Sequence, residues 1–250
     1  MKIAVSACLL GEKIRFDGGH KHDRFITDEL GRYAEFLPFC PEHLAFGTPR
    51  PSLRIVRQDA AFVIRSNKNG GDLTGILEKA SHEELAAFDS QKLGGIIFKA
   101  KSPSCGLGSA RAYLPNGFAE GKSNGLFANL CRAHFPLLPM EEEGRLNDPW
   151  LRENFVMQLF AYDDFEQFKA TDPDMKGLIA FHQAYKFMLQ SKDERSYRTL
   201  GTIVGNQDRA DFSKLFSHYE LLFKPAIGQK NTIGKTRNVL DHMAGFLKND

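Results

Sequence analysis

The chain has 250 residues, 42% hydrophobic and 26% charged, with 33 Lys and Arg against 31 Asp and Glu for a net charge of +2. That size allows one large or two ordinary domains with a substantial core, and near-neutral charge excludes a polyelectrolyte that holds nucleic acid or anionic membrane by bulk attraction. No run approaches the roughly 20 apolar residues of a membrane span.

Residues 1–5 read as a buried strand and contain no apolar region long enough for a secretory leader, so a cytoplasmic protein without a membrane partner is expected. In a reducing cytosol the four cysteines are not expected to form a disulfide framework. Residues 3–6 predict the first strand, 25–34 a helix, and 36–39 a second strand, with more strand signal at 53–56 and 61–64. Residues 72–89 have helical spacing, Leu73, Ile76, Leu77, Leu85 and Phe88 recurring at intervals of three and four. A buried strand at 94–99, a helix at 124–133 and a short strand at 136–138 complete this half. Alternating β and α elements argue for an open, mostly parallel, Rossmann-like sheet covered on both faces, spanning 1–143.

Beyond the acidic run Glu141-Glu142-Glu143 the pattern becomes helical throughout. Helices are expected over 151–168, 175–190, 195–205, 212–223 and 232–247, forming an all-α bundle domain over 149–250. Its core-facing stripes include Phe155, Leu159, Phe165, Phe168, Leu178, Phe181, Tyr185 and Leu189. Lys224, Lys230, Lys235 and Arg237 lie in a stretch, 221–240, with no acidic residue. As a nucleic-acid contact this is disfavoured against a solvated helix face. Homo-oligomerisation is left open.

Cys8, Cys40 and Cys105 each follow a predicted strand, in Ser6-Ala7-Cys8, Phe39-Cys40-Pro41-Glu42 and Ser102-Pro103-Ser104-Cys105-Gly106. In an open α/β sheet the loops at the carboxyl ends of strands converge on one crevice. Three thiols from distant segments suggest a metal or cluster site with one coordination position left open. A single cytosolic cysteine is more often a small buried hydrophobe, and Cys131, on a helical stripe with Phe127 and Leu130, is read that way. Glu42 can reach the same crevice, where desolvation would favour its protonated form. Ser102 and Ser104 are candidates to position substrate or pass a proton, or they shape the turn. Arg50, in the stiff Thr48-Pro49-Arg50-Pro51 segment, is a candidate substrate-binding residue or a solvated cation.

Five ordered segments, Val5–Gly11, Arg15–Gly18, Cys40–Glu42, Thr48–Pro51 and Lys101–Gly106, together resemble the thiouracil desulfidase family, formerly catalogued as a bacterial domain of unknown function. The second half resembles an uncharacterised helical domain often fused behind it, through His182 and Lys186, Leu200-Gly201, and Asn238-Val239-Leu240 with His242. The resemblance implies a [4Fe-4S] cluster held by Cys8, Cys40 and Cys105. It also implies non-redox removal of sulfur from a small thiolated nucleobase such as thiouracil. In it, Glu42 and one of Ser102 and Ser104 move protons and place substrate. The competing expectation is a non-enzymatic metal or thiol sensor that signals through the helical half. Glu42 and the two serines favour the enzyme, since a sensor needs thiols but no proton carrier.

Overall fold

The computed structural model describes residues 1–59, 61–205 and 211–247. The chain divides into two compact units, Met1–Asp148 and Pro149–Asp250.

The first unit opens with β1 (Lys2–Ser6), a 3-10 turn over Ala7–Leu10, a short irregular helical passage over Phe25–Arg32, and β2 (Glu35–Phe39). Then come α1 (Pro41–Phe46), β3 (Leu53–Gln58), β4 (Ala61–Ser66), α2 (Thr74–Asp89), β5 (Leu93–Phe98), β6 (Ala110–Tyr113), β7 (Ala119–Ser123), α3 (Leu126–His134) and β8 (Met140–Glu142). A four-stranded parallel sheet has the order β2-β1-β5-β8. β5 is buried along its whole length and β1 along all but its first residue, the pattern of parallel strands covered on both faces. Phe39, Phe88, Phe98 and Phe127 meet in its core, edge-on except for the tilted Phe39–Phe127 pair, with ring centroids 5.2–6.3 Å apart. Each such ring, fully buried, contributes about 2–3 kcal/mol.

The sequence led us to expect one sheet; the structure has two. β4-β3-β6-β7 form a second, mixed sheet with Leu53 and Ile55 facing its own small core. β6 and β7 escape the apolar periodicity because Ala119–Ser123 is a solvent-exposed strand with a glycine in it. Their hairpin signal, Asn116-Gly117, is legible nonetheless: Gly117 has φ +89° and its amide bonds Leu114. The helix expected over 25–34 is one π-type turn followed by one 3-10 turn. Gly31 weakens helix propagation there, and Ile26 and Leu30 are the buried anchors. The strand expected at 136–138 lies further on, at Met140–Glu142, because residues 136–138 turn and Pro139 only accepts from the sheet, taking the Ile96 amide at 2.9 Å.

The second unit contains α4 (Pro149–Lys169), α5 (Met175–Lys192), α6 (Glu194–Gly205), α7 (Phe212–Ile227) and α8 (Ile233–Leu247). Phe165 lies at the centre of its core, packed on Phe181, Phe216, Tyr219 and Phe223. The expected stripes face this way: Leu159, Leu178 and Leu189 are buried, and Phe168, Phe181 and Tyr185 pack against the cluster. The basic stretch is a solvated face only in part: Lys230 and Arg237 are exposed, Lys224 and Lys235 are engaged. Lys224 is buried over the Tyr162 ring and paired with Glu166 and Glu220. Lys235 donates to the Lys192 carbonyl at 2.6 Å. No helix among the described residues is long and apolar enough to cross a membrane.

Candidate active site

β1 lies between β2 and β5, and the connections leave it toward opposite edges of the sheet. The crevice outside the strand ends at such a switch point is where open α/β sheets bind ligands. Cys8 follows β1 in its 3-10 turn, Cys40 follows β2 as the N-cap of α1, and Cys105 lies in the loop after β5. Adjacent strands are about 4.8 Å apart, so these three loops open onto one cavity. Its volume is about 330 Å³, and its walls include Cys8, Cys40, Cys105, Glu42, Ser102 and Ser104.

The Cys105 loop is fixed by the start of α3. The amides of Gly125, Leu126 and Ala128 donate to the carbonyls of Gly106, Pro103 and Ser104 at 2.7, 3.0 and 3.1 Å. In this way the loop takes up donors that a helix start leaves unpaired. Gly106 and Gly125 are required by contact. A Cβ on Gly106 would lie 2.9 Å from the Ser102 carbonyl oxygen, and one on Gly125 would strike the Ser104 carbonyl and lie 2.8 Å from the Cys105 amide. From β8, Glu142 accepts from the Leu107 amide at 3.0 Å and the Ser109 hydroxyl at 2.6 Å. Glu143 pairs with Lys99 and takes the Ala100 amide.

Glu42 organises the polar wall. Its Oε1 accepts from Ser104 Oγ at 2.6 Å and Ser102 Oγ at 3.1 Å, and its Oε2 accepts from Arg50 Nη2 at 3.1 Å and Nε at 3.3 Å. The two serines touch each other at 2.9 Å. They differ in setting. Ser104 is 1% exposed and its Oγ lies 3.5 Å from the Cys105 sulfur, whereas Ser102 Oγ also accepts the amides of Ser104 and Cys105. Arg50 is not solvated: its side chain is enclosed and lies in the wall of the same cavity. Its remaining donors reach the carbonyls of Ile14 and Gly47, the Thr48 hydroxyl and, at 4.0 Å, the Cys40 sulfur.

Burial disfavours the thiolate form of all three cysteines when nothing is bound. Burial, then the neighbouring Cys40, pushes Cys8 up to about 12. Burial pushes Cys40 up to about 11 against the His43 amide that bonds its sulfur. Cys105 is raised by burial and by Cys40, opposed by hydroxyl bonds from Ser104 and Ser6. That Cys40 acts on both others fits three thiols facing one space. Cys131 lies wholly buried in the core on α3, as its helical stripe predicted.

Among the described residues no group of three or more His, Cys, Asp or Glu side chains converges tightly enough to grip a single metal ion. Three thiols lining one cavity are a donor set that fits an iron–sulfur group, for which thiolates are the usual ligands. Sequence reasoning did not single out Ser6, whose hydroxyl takes the Lys99 amide at 2.9 Å and serves Cys105. It also missed Glu84, which accepts the Cys40 amide at 2.9 Å. Ser6, two residues before Cys8 at the carboxyl end of a buried strand, was findable; Glu84 carries no local signal.

The chain is 30% identical over 126 residues to the Uncharacterized protein YbbK of Bacillus subtilis (strain 168), an overlap of 48% of this chain and 80% of that protein. A solved structure, the [4Fe-4S]-dependent thiouracil desulfidase TudS, is 33% identical, covers 59% of this chain and 93% of its own, and superposes with a TM-score of 0.47. Residues 186–250 match the family model DUF1722, a protein of unknown function. Residues 3–143, more than half the chain and all of the cysteine site, match the model for 2-thiouracil desulfurase, and this protein belongs to that family.

Proposed function

We propose that the protein is an iron–sulfur-dependent, non-redox desulfidase that converts the thiocarbonyl of a thiolated nucleobase such as thiouracil to a carbonyl, releasing sulfide. The observation that carries this reading is the opening of Cys8, Cys40 and Cys105 onto one cavity with the Glu42–Ser104–Ser102 network in its wall. Cys8, Cys40 and Cys105 are the residues that would hold a [4Fe-4S] cluster. When bound, such a cluster supplies a Lewis-acidic iron with an open position for the substrate sulfur.

The rest of the work falls to the protein. Glu42 Oε1, already accepting from both hydroxyls, draws a proton through Ser104 from the attacking water. Arg50, in the cavity wall, holds the other carboxylate oxygen and faces the substrate space. Ser102, nearer the open side, is left to place the base. Water adds to the carbon of the thiocarbonyl, the carbon–sulfur bond breaks, and its electron pair leaves with sulfur. The products are the oxo base and hydrogen sulfide, with no net oxidation or reduction.

The test is iron and acid-labile sulfide on anaerobically reconstituted protein, followed by thiouracil turnover. About four of each per chain with uracil and sulfide formed in equal amounts is the expected result. Stoichiometric zinc, or no metal, with no turnover would sink the reading.

A further inference from the structure

The geometry around Cys40 points to a positioning residue outside the cavity wall, and the inference rests on the reading that the three cysteines hold an iron–sulfur group. Cys40 is the N-cap of α1, with Pro41 at N1 and His43 at N3. In the usual capping box the N3 side chain returns to the N-cap amide. Here the His43 amide bonds the Cys40 sulfur at 3.4 Å, and the His43 ring is turned to the Thr48 hydroxyl at 2.8 Å. The Cys40 amide is taken instead by Glu84 Oε1 at 2.9 Å, reaching across from α2.

Glu84 is half-buried and, among the described residues, has no ion-pair partner. It borders a second cavity of about 180 Å³ on which Cys40, His43 and Glu12 also open. The potential of an iron–sulfur group is set by its hydrogen bonds to sulfur and by nearby charge. A carboxylate that withdraws one N–H from the sulfurs, and places an unpaired negative charge behind one ligand, opposes the arrival of an electron. We infer that Glu84 both seats Cys40 and holds an iron–sulfur group at this site in its oxidised form, the form suited to Lewis-acid chemistry.

The experiment compares full-length wild type, E84Q, E84A and E84D, reconstituted anaerobically, at pH 8. Iron and sulfide are measured first, circular dichroism checks folding, and a dye-mediated redox titration gives the reduction potential. E84Q keeps an acceptor for the Cys40 amide and loses only the charge. The inference expects equal iron in wild type and E84Q, a more positive potential in E84Q, and a wild-type potential in E84D. E84A, which lacks the acceptor for the Cys40 amide, is expected to hold less iron than E84Q. An unchanged potential in E84Q overturns it, since a hydrogen bond alone would be preserved there. Where E84Q does not fold, E84A serves, and an unchanged potential in it overturns the inference equally. A wild type that binds no iron sinks the iron–sulfur reading and this inference with it. A loaded wild type indifferent to residue 84 sinks this inference alone.

Discussion

Ser102 and Ser104 are two residues apart and both touch Glu42, yet their surroundings give them different work. Ser104 is buried, has the shorter bond to the carboxylate and lies against Cys105, while Ser102 ties two loop amides. We expect Ser104→Ala and Glu42→Gln each to lower kcat by about 100-fold or more, the usual scale of general acid–base loss, with iron content unchanged. Equal loss of iron and activity would make these residues structural. Cys8→Ala, Cys40→Ala and Cys105→Ala should each abolish iron loading, whereas Cys131→Ala keeps it; iron retained in any of the first three removes that residue from the ligand set. The cysteines, Glu42 and the serines were legible because each sits in a short loop directly after an apolar run. Arg50 was legible as a residue, but its partners were not. Its engagement with Glu42, Ile14, Gly47, Thr48 and Cys40 is set by the fold of the Thr48–Pro51 segment and not by its neighbours in sequence.

At the scale of elements, the site depends on how α3 and β8 grip the Cys105 loop. Because a methyl at residue 125 meets backbone of Ser104 and Cys105, Gly125→Ala must displace the loop or the helix start. Overpacking of this kind costs about 1–3 kcal/mol. A lowered denaturation midpoint together with reduced iron per chain is expected; wild-type values for both would show that the loop does not depend on this contact. Parallel strands and long helices were readable from periodicity because each buries a continuous face. The hairpin of β6 and β7 was not, since its strands have little apolar surface. Nor was α1, six residues too short to show a period, although Pro41 after Cys40 marks its start.

On the molecular scale, every residue assigned to the site comes from the unit Met1–Asp148. A chain ending at Asp148 is expected to bind the same iron per chain as the full protein; loss of loading would assign the helical unit a part in the site. That unit has its own polar centre. Lys192, 0% exposed, donates to Asn154 Oδ1 at 3.2 Å and the Gln229 carbonyl at 2.9 Å, and Asn154 also binds Asn231. Burial lowers Lys192 from 10.5 to about 8. Above pH 10.5 it is neutral in both states. As pH falls the unfolded chain takes up the proton first, so stability declines until about pH 8 and is level below. The span corresponds to about 3 kcal/mol. Above about pH 9 the thiols of Cys8, Cys40, Cys105 and Cys131, raised by burial, act the other way, so the wild-type midpoint alone sums opposed trends. The wild-type urea midpoint minus that of Lys192→Met should therefore rise between pH 8 and 10; a difference that stays flat would refute the assignment. Above pH 10 the trend is opposed by Tyr185 and Tyr219, whose hydroxyls burial holds protonated.

The sequence by itself determined an α/β half followed by a helical half, the cysteines, Glu42 and serines that meet, and the family resemblance. Those features are local: an apolar period, a loop composition, an ordered set of motifs. Only the tertiary structure decided that Arg50 is enclosed, that the two serines converge on one carboxylate oxygen, that a second sheet exists, and that Glu84 stands behind Cys40. The contacts involved join residues far apart in sequence, 36 positions for Arg50 and Ile14, 60 and 62 for the serines and Glu42, 44 for Glu84 and Cys40. Such pairings follow from the order in which strands and helices pack, and periodicity has no way to encode that order.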